Sequence, residues 1–254
     1  MITFRSKNGR LGEIMYLIYG LFYFCIDNDL PLDRIFVDED YVGTDFYGDD
    51  FRRVVKENLP IFANIRKYIR KIEKPGRFYS GFRVVDYHNH GKGIDIVSDD
   101  YFLDNYWHTP YDAQLFRLLF RPKSLFDEIK RKYDPLYRFD SAWSCHVRRG
   151  DFVMIEQSRL LSGQYEGKVP AKPEDIEVKL RLLPEGQRAV VFSDDIEWCR
   201  GRFGHLDNVV FSECGAAYED MACISMCRRH ICLSNSYFNI CAMMLADNYN
   251  GKLW

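Results

Sequence analysis

Two adjacent arginines beside a glycine and an aspartate are the residues of this chain best suited to chemistry. Residues 144–152 read Ser-Cys-His-Val-Arg-Arg-Gly-Asp-Phe, a short strand pattern that ends in a turn. Guanidinium groups bind phosphate oxygens in pairs, and glycine lets a backbone approach a ligand closely. Arg148, Arg149 and Gly150 are therefore predicted to hold a diphosphate. A cell-adhesion Arg-Gly-Asp tripeptide and a solvated basic turn are the two alternative interpretations of the same residues.

The elements that must position this turn alternate along the second half of the chain. Apolar runs predict strands, and amphipathic runs between them predict helices. Such βαβα alternation indicates a parallel sheet with helices on both faces. The predicted strands cover 142–147, 188–193, 208–211 and 231–234, and the predicted helices cover 173–183, 195–203, 218–228 and 237–246.

Polar residues follow each predicted strand directly. Ligands of open parallel sheets lie outside the carboxyl ends of the strands, and these ends share one edge. We therefore expect four polar clusters to gather there. They are His146 to Asp151, Ser193-Asp194-Asp195, Ser212, and Ser234-Asn235-Ser236.

The first half predicts a βαβ unit, with strands at Ile2–Phe4 and Arg34–Asp38 around an apolar helix. The apolar stretch Ile14–Ile26 is too short to span a bilayer comfortably, so a buried helix is expected, with an interfacial anchor as the alternative. Residues 134–137, Asp-Pro-Leu-Tyr, are interpreted as a linker. The predicted domains are 1–138 on the acceptor side and 139–254 on the donor side, with the last helix available to pack back on the first domain.

Composition narrows the class of protein. The chain has 254 residues, of which 47% are apolar and 28% charged, as in soluble globular proteins. A net charge of −2 argues against a general nucleic-acid or anionic-membrane binder, although a local basic site is allowed. Eight cysteines without a signal peptide favour the cytoplasm. Cys223, Cys227 and Cys232 are read as buried free thiols, with a metal cluster as the alternative.

The turn and four further segments resemble one enzyme family. His146-Val-Arg-Arg-Gly-Asp151 is similar to the signature of the α-1,2-fucosyltransferases and of the wider group with the α-1,6-fucosyltransferases. Val191–Cys199 resembles the family's second block, in which a strand ends in Ser-Asp-Asp before a Trp-bearing helix. Asp220–Phe238 resembles the third block. Tyr106-Trp107-His108 is similar to a Tyr-Trp-Gln segment, and Gly9–Met15 is similar to the family's glycine-rich opening.

Two departures from the family pattern are visible. Glu13-Ile14 stands where the family has Asn-Gln, which affects the acceptor side. Residues 238–241 read Phe-Asn-Ile-Cys where the family has Phe-Ser-Trp-Trp, which affects the region of the transferred sugar.

The resemblance implies a GT-B-like α/β fold, with two Rossmann-like halves facing a cleft and a doubly wound parallel sheet in the C-terminal half. It also implies transfer of fucose from GDP-fucose to a glycan hydroxyl, with galactose O2 and an α-1,2 linkage expected, by an inverting reaction without a metal or other cofactor. Asp38-Glu39-Asp40 is the alternative metal-binding pattern. The expected acceptor is an oligosaccharide or glycolipid, and peripheral membrane association is allowed.

Roles for single residues follow from the same resemblance. Arg148 becomes the phosphate contact and leaving-group stabiliser, and Arg149 either joins it or makes structural contacts across the cleft. His146 and Asp195 face guanine or ribose. Glu156 is the expected catalytic base, with Asp151 as the alternative base or as a turn carboxylate. The remaining donor residues are Gly150, Ser193, Asp194, Ser212, Ser234, Asn235, Ser236 and Phe238, and the acceptor-side residues are Trp107 and His108.

Two other functions are compatible with these residues. One is a transferase of the same fold with another donor or linkage. The other is a GDP-sugar-binding protein without turnover, which the departures at residues 13–14 and 240–241 would explain.

Overall fold

A computed structural model of the chain forms two compact units, Met1–Pro122 and Lys123–Trp254. Each unit contains a parallel β-sheet, as predicted. For residues 4, 51–52, 83–86 and 101–104 the description covers the backbone only. The structure describes residues 1–4, 10–38, 51–70, 83–86, 101–104, 109–150, 153, 171–233 and 236–249.

The first unit has parallel strand pairing throughout its described sheets. One sheet has the order β1-β5-β4, and β2 pairs with β3. A parallel bridge between Ile2 and Ile35 joins β1 to the residues just before β2, which confirms the predicted βαβ unit. The strands are β1 (Ile2–Phe4), β2 (Val37–Asp38), β3 (Ile69–Arg70), β4 (Arg83–Asp86) and β5 (Tyr101–Asp104). The helices are α1 (Leu11–Asp27), α2 (Phe51–Glu57) and α3 (Ala113–Phe120), with 3₁₀ segments at Leu32–Arg34 and Leu59–Tyr68.

Helix α1 is buried on all its faces, as the apolar stretch predicted. Its tyrosines find polar partners in the interior, since a buried phenol needs a hydrogen bond. The Tyr16 hydroxyl donates to the Thr109 carbonyl at 2.7 Å. The Tyr19 hydroxyl donates to the Pro110 carbonyl and accepts from the Asp112 amide at 2.8 Å. Among the described residues, no helix has both the length and the apolar character needed to cross a membrane.

The second unit contains a four-stranded sheet in the order β8-β7-β6-β9, and every pairing in it is parallel. Strand β7 is an uninterrupted apolar run, which is typical of a parallel strand covered on both faces. The strands are β6 (Trp143–Val147), β7 (Ala189–Ser193), β8 (Val209–Phe211) and β9 (Arg229–Ile231). The helices are α4 (Lys123–Tyr137), α5 (Pro173–Arg181), α6 (Ile196–Phe203), α7 (Ala217–Met226) and α8 (Tyr237–Leu245).

Helices cover both faces of this sheet. Cys145 and Val147 of β6 pack in a core with residues of α5 and α6. The alternate residues of the sheet face the other helices. His146 stacks on Phe238 of α8, and Phe192 of β7 meets the ring of Tyr137 of α4 at 6.1 Å. The predicted doubly wound parallel sheet is therefore confirmed.

The predicted linker at residues 134–137 is wrong, because these residues are the last turn of α4. Proline at position 135 removes one helical hydrogen bond, but burial of the next turn outweighs that loss. Tyr137 is fully buried and stacks on Tyr133 at 5.5 Å. The helix ends at Arg138, whose φ of 55° is left-handed, and the Asp134 side chain accepts the Phe139 amide at 2.9 Å. The predicted domain boundary at residue 138 lies at the C-terminal end of α4, whereas the two compact units divide at its N-terminal end, after Pro122.

All eight cysteines are free thiols, as interpreted from the sequence. Burial raises the pKa of Cys199 to about 11 and that of Cys25 to about 12. Two thiols, Cys214 and Cys232, are only half-buried.

We therefore expect an aromatic disulfide reagent to modify Cys214 and Cys232 rapidly in the native protein and all eight thiols in denaturant, because thiolate formation and access both control the reaction. The measurement is the absorbance change over time, with peptide mapping of the modified sites. Rapid native modification of Cys145 or Cys223 would contradict the packing of the second unit.

Candidate functional site

In the sheet of the second unit, the connections between successive strands change direction at β6. Strands β6, β7 and β8 follow one another across the sheet, and β9 then returns to the other side of β6. In open parallel sheets a ligand crevice forms at this switch point, outside the carboxyl ends of the strands. Here the crevice lies between the ends of β6 and β9. The predicted arginine turn follows β6 directly.

One carboxylate, Asp194, binds both arginines of the turn. Its Oδ2 accepts Nη1 of Arg148 at 2.6 Å, and its Oδ1 accepts the backbone amide of Arg149 at 2.8 Å. Only 11% of the Arg148 side chain is exposed, against 26% for Asp194. The register of β6 and β7, which sets Val147 opposite Ser193, brings these residues together.

The Arg149 side chain contacts residues other than Asp194. Its guanidinium carbon lies 3.6 Å from the centre of the Trp198 ring, and its Nε is 3.3 Å from Oδ2 of Asp195. The other oxygen of Asp195 caps α6 by accepting the Trp198 amide at 3.3 Å. Stacked, charge-paired guanidinium groups are well fixed. Arg149 and Asp195 therefore join the end of β6 to the start of α6.

Ser193, which was predicted to contact the donor, forms hydrogen bonds with the backbone beside the arginine turn. Its hydroxyl donates to the Val147 carbonyl at 2.7 Å and accepts the Asp195 amide at 3.0 Å. These bonds satisfy the backbone where β6 and β7 end. The seryl side chain thus supports the arginine turn from the neighbouring strand.

His146 is a buried, neutral imidazole next to this turn. Burial lowers its pKa to about 4, although the nearby Asp194 charge acts in the opposite direction. Its ring stacks on Phe238 with centroids 4.9 Å apart and planes at 26°. Among the described residues its Nδ1 has no hydrogen-bond partner. At neutral pH this residue therefore offers a ring nitrogen for hydrogen bonding and no positive charge.

Ser212, at the end of β8, hydrogen-bonds a partly buried carboxyl group to which the sequence motifs assigned no role. Its hydroxyl lies 2.5 Å from Oδ1 of Asp220 on α7. Burial raises the pKa of Asp220 to about 6 despite the bond from Ser212. A perturbed carboxyl beside a ligand edge is typical of functional sites. The signal in the sequence was an acidic residue in the helix that follows a strand-end serine.

The loop between β8 and α7 has its backbone amides held by side chains. The Tyr137 hydroxyl accepts the Glu213 amide at 2.7 Å, and Ser212 accepts the Cys214 amide at 3.2 Å. Glu219 accepts the Gly215 amide at 2.8 Å. This loop at the sheet edge is therefore held from both α4 and α7.

The remaining predicted residues divide into two groups. Gly150 is exposed at the start of a helical turn, in which the Val153 amide donates to the Arg149 carbonyl at 2.9 Å, and Ser236 is buried immediately before α8. No group of three or more potential metal ligands occurs among the residues that the structure describes. Outside the described residues lie Glu39, Asp40, Trp107, His108, Asp151, Glu156, Ser234 and Asn235.

The sheet order and the side chains at its edge together are typical of one kind of binding site. A parallel sheet of this order, with arginines, a neutral histidine and hydroxyls at its carboxyl edge, is the architecture of a nucleotide-binding α/β unit. Residues 129–253 match the family model Glycosyl transferase family 11. The match spans the segments of the second half whose motifs resemble this glycosyltransferase family, and the resemblance is confirmed.

A curated relative and two solved structures are also similar to this chain. The O-antigen biosynthesis glycosyltransferase WbnK of Escherichia coli is 28% identical over 98 residues, which are 37% of this chain and 31% of that protein. The chain thus matches about a third of that relative's length.

The fucosyltransferase NodZ from Bradyrhizobium matches with a TM-score of 0.50 at 14% identity, over 96% of this chain and 92% of that one. POFUT1 in complex with GDP matches with a TM-score of 0.50 at 12% identity, over 99% and 96% of the two chains. At these identities the likeness concerns the fold, and it confirms the GT-B-like fold class.

The raised pKa of Asp220 predicts a pH-dependent stability. Because its folded-state pKa of about 6 lies above the ordinary 3.8, the folded state binds this proton more tightly than the unfolded state. The contribution is fully present below the unfolded-state pKa of 3.8 and is lost as the pH rises from there through about 6. We expect Asp220→Asn, which stays neutral, to exceed the wild type in unfolding free energy at pH 7.5, by on the order of 2 kcal/mol.

Urea unfolding at pH 4.5 and pH 7.5 measures this difference. The same substitution at the exposed Asp207 is the matched control and should change stability little at either pH. Equal effects of Asp220→Asn at both pH values would show that the carboxyl titrates normally.

Proposed function

We propose that this protein transfers fucose from GDP-fucose to a hydroxyl group of a glycan. The observation that carries the proposal is the arginine turn at the switch point of a family 11 glycosyltransferase sheet. A nucleoside diphosphate sugar needs cationic donors at its phosphates and polar or aromatic groups at its base. Arg148, His146 and Phe238 offer these groups at one edge.

Arg148 neutralises the charge of the departing diphosphate in this proposal. Cleavage of the sugar–phosphate bond places negative charge on the terminal phosphate of GDP, and fixed cationic donors stabilise it. A guanidinium has five N–H donors in a fixed fork that suits phosphate oxygens, and Asp194 accepts from one nitrogen of Arg148. An arginine can supply this charge where other sugar transferases use a divalent cation.

The buried edge residues bind the nucleoside in the same proposal. The neutral His146 gives a hydrogen bond to guanine or ribose, and its stacking on Phe238 sets the orientation of the ring. Ser212 and Ser236 add hydroxyl groups near the donor. Asp195, which the resemblance assigned to the nucleoside, has one oxygen on Arg149 and the other at the α6 amide.

The acceptor half of the reaction follows the family pattern. The acceptor hydroxyl attacks the anomeric carbon with inversion, and Glu156, or Asp151, takes its proton. We propose galactose O2 as the attacking group, with an α-1,2 linkage and with Trp107 and His108 on the acceptor side. The curated relative acts in O-antigen biosynthesis, which supports an oligosaccharide or glycolipid acceptor. The free cysteines favour a reducing cytoplasm.

Calorimetry with GDP, GDP-fucose and UDP, followed by a transfer assay over a panel of galactose-terminated acceptors, tests the proposal. We expect GDP and GDP-fucose to bind, UDP to bind less tightly, and the product to carry a new linkage at galactose O2. Tight binding without transfer or hydrolysis would favour a binding protein. No binding of GDP would refute the proposed donor.

Substitution of the principal arginine gives a sharper prediction. Arg148→Ala should lower kcat by about 10²- to 10³-fold, as does the loss of a fixed donor to a developing oxyanion. The measurement is steady-state release of GDP with saturating acceptor. Arg181→Ala, which removes an arginine paired with Glu177 on α5, is the control and should retain full activity. Near-normal turnover of Arg148→Ala would refute the phosphate role.

A further inference from the structure

The two arginines of the turn are alike in residue type and charge but differ in their surroundings. Arg149 has its guanidinium committed to the Trp198 face and to the Asp195 carboxylate. Arg148 has one nitrogen on Asp194 and is more deeply buried than its neighbour, with 11% of its side chain exposed against 23%. The structure thus gives the two arginines different partners, which are Trp198 and Asp195 for Arg149 and Asp194 for Arg148.

Asp194 connects the two. One of its oxygens holds the Arg148 side chain, and the other holds the backbone amide of Arg149. A carboxylate bound at both oxygens cannot rotate freely. Its second anchor is the backbone of a residue that has contacts of its own, because the Arg149 side chain binds Asp195 and packs on Trp198. The orientation of Arg148 therefore depends, through Asp194 and Arg149, on the residues at the start of α6.

We propose that Asp194 is a positioning residue that orients Arg148 toward the leaving phosphate and does not itself touch the donor. The inference rests on the proposed function, since it assigns Asp194 a task within that reaction. It revises the sequence-based placement of Asp194 among the donor contacts. It also gives Arg149 and Trp198 one shared task, which is to hold the amide that anchors Asp194.

Charge supports this assignment. An ionised carboxylate repels the oxygens of a diphosphate at short range, whereas a guanidinium attracts them. Asp194 can assist only through the arginine to which it is bonded. Small displacements of a catalytic group cost much in rate, up to about 100-fold for a shift of 1 Å. A loosened Arg148 would still attract GDP but would stabilise the transition state poorly.

A double-mutant cycle tests the inference. Asp194→Asn keeps the shape of the side chain and an oxygen for the Arg149 amide, but it loses the charge that holds Arg148. We expect kcat to fall on the order of 10- to 100-fold while the Kd for GDP changes less than threefold. In the Arg148→Ala background the same substitution should have no further effect on kcat, because coupled residues are not additive.

Glu177→Gln is the matched control, because Glu177 is a partly buried carboxylate paired with Arg181 away from the sheet edge. It should leave kcat and the Kd for GDP unchanged. If the melting temperature of Asp194→Asn falls well below that of the wild type, Asp194→Glu replaces it. That variant keeps the charge on a longer arm, so displacement of Arg148 should again lower kcat more than GDP affinity.

The outcomes separate the two proposals. An undiminished effect of Asp194→Asn in the Arg148→Ala background would overturn the positioning role while leaving the proposed function intact. A large loss of GDP affinity in Asp194→Asn, with kcat preserved, would make Asp194 a donor contact and also overturn it. Failure of the wild-type protein to bind GDP would refute the proposed function, and the positioning role with it.

Discussion

The ion pair between Arg148 and Asp194 is the contact on which the candidate site depends. It forms because β6 and β7 run in parallel and end together, so the residues after Val147 and Ser193 meet at one edge. A guanidinium with little solvent exposure needs a partner, because desolvation of an unpaired charge is costly. The carboxylate meets that need and at the same time restricts where the cationic group can point.

The polar groups at this edge fall into two sets. Ser193, Asp195 and Arg149 bind one another or the backbone, and they make the edge rigid. His146 and Asp220 are titratable groups whose pKa values burial moves in opposite directions, down for the imidazole and up for the carboxyl. Burial disfavours the charged form in both cases. Near neutral pH the histidine is uncharged, which suits hydrogen bonding to a nucleoside.

Packing behind the edge holds the site in place. Tyr137 belongs to a helix turn that contains a proline, yet it is fully buried and its hydroxyl binds the loop after β8. The energy of burying a tyrosine ring exceeds the cost of one missing helical hydrogen bond. Local propensity predicted a linker at residues 134–137, and tertiary packing made a helix of it. The same packing ties α4 to the β8–α7 loop.

Much of the fold followed from the sequence alone. The βαβα alternation, the uninterrupted apolar run of β7 and the Arg-Arg-Gly turn after β6 were local patterns, and they predicted a doubly wound parallel sheet with a phosphate-binding edge. Side-chain periodicity and strand-end chemistry are properties of short segments, so they can be recognised without the fold. The identities of most residues at the edge were predictable for the same reason.

The tertiary structure decided how those residues divide their work. Residue type and charge did not distinguish Arg148 from Arg149, and the family resemblance that assigned Arg148 to the phosphate left two roles open for Arg149. Only the pairing of β6 with β7 and the docking of α6 set one guanidinium on Trp198 and the other on Asp194. The burial that perturbs Asp220 also comes from packing between elements distant in sequence. Roles that depend on such contacts have no local signature, and this is why the sequence predicted which residues follow the strands but not how those residues contact one another.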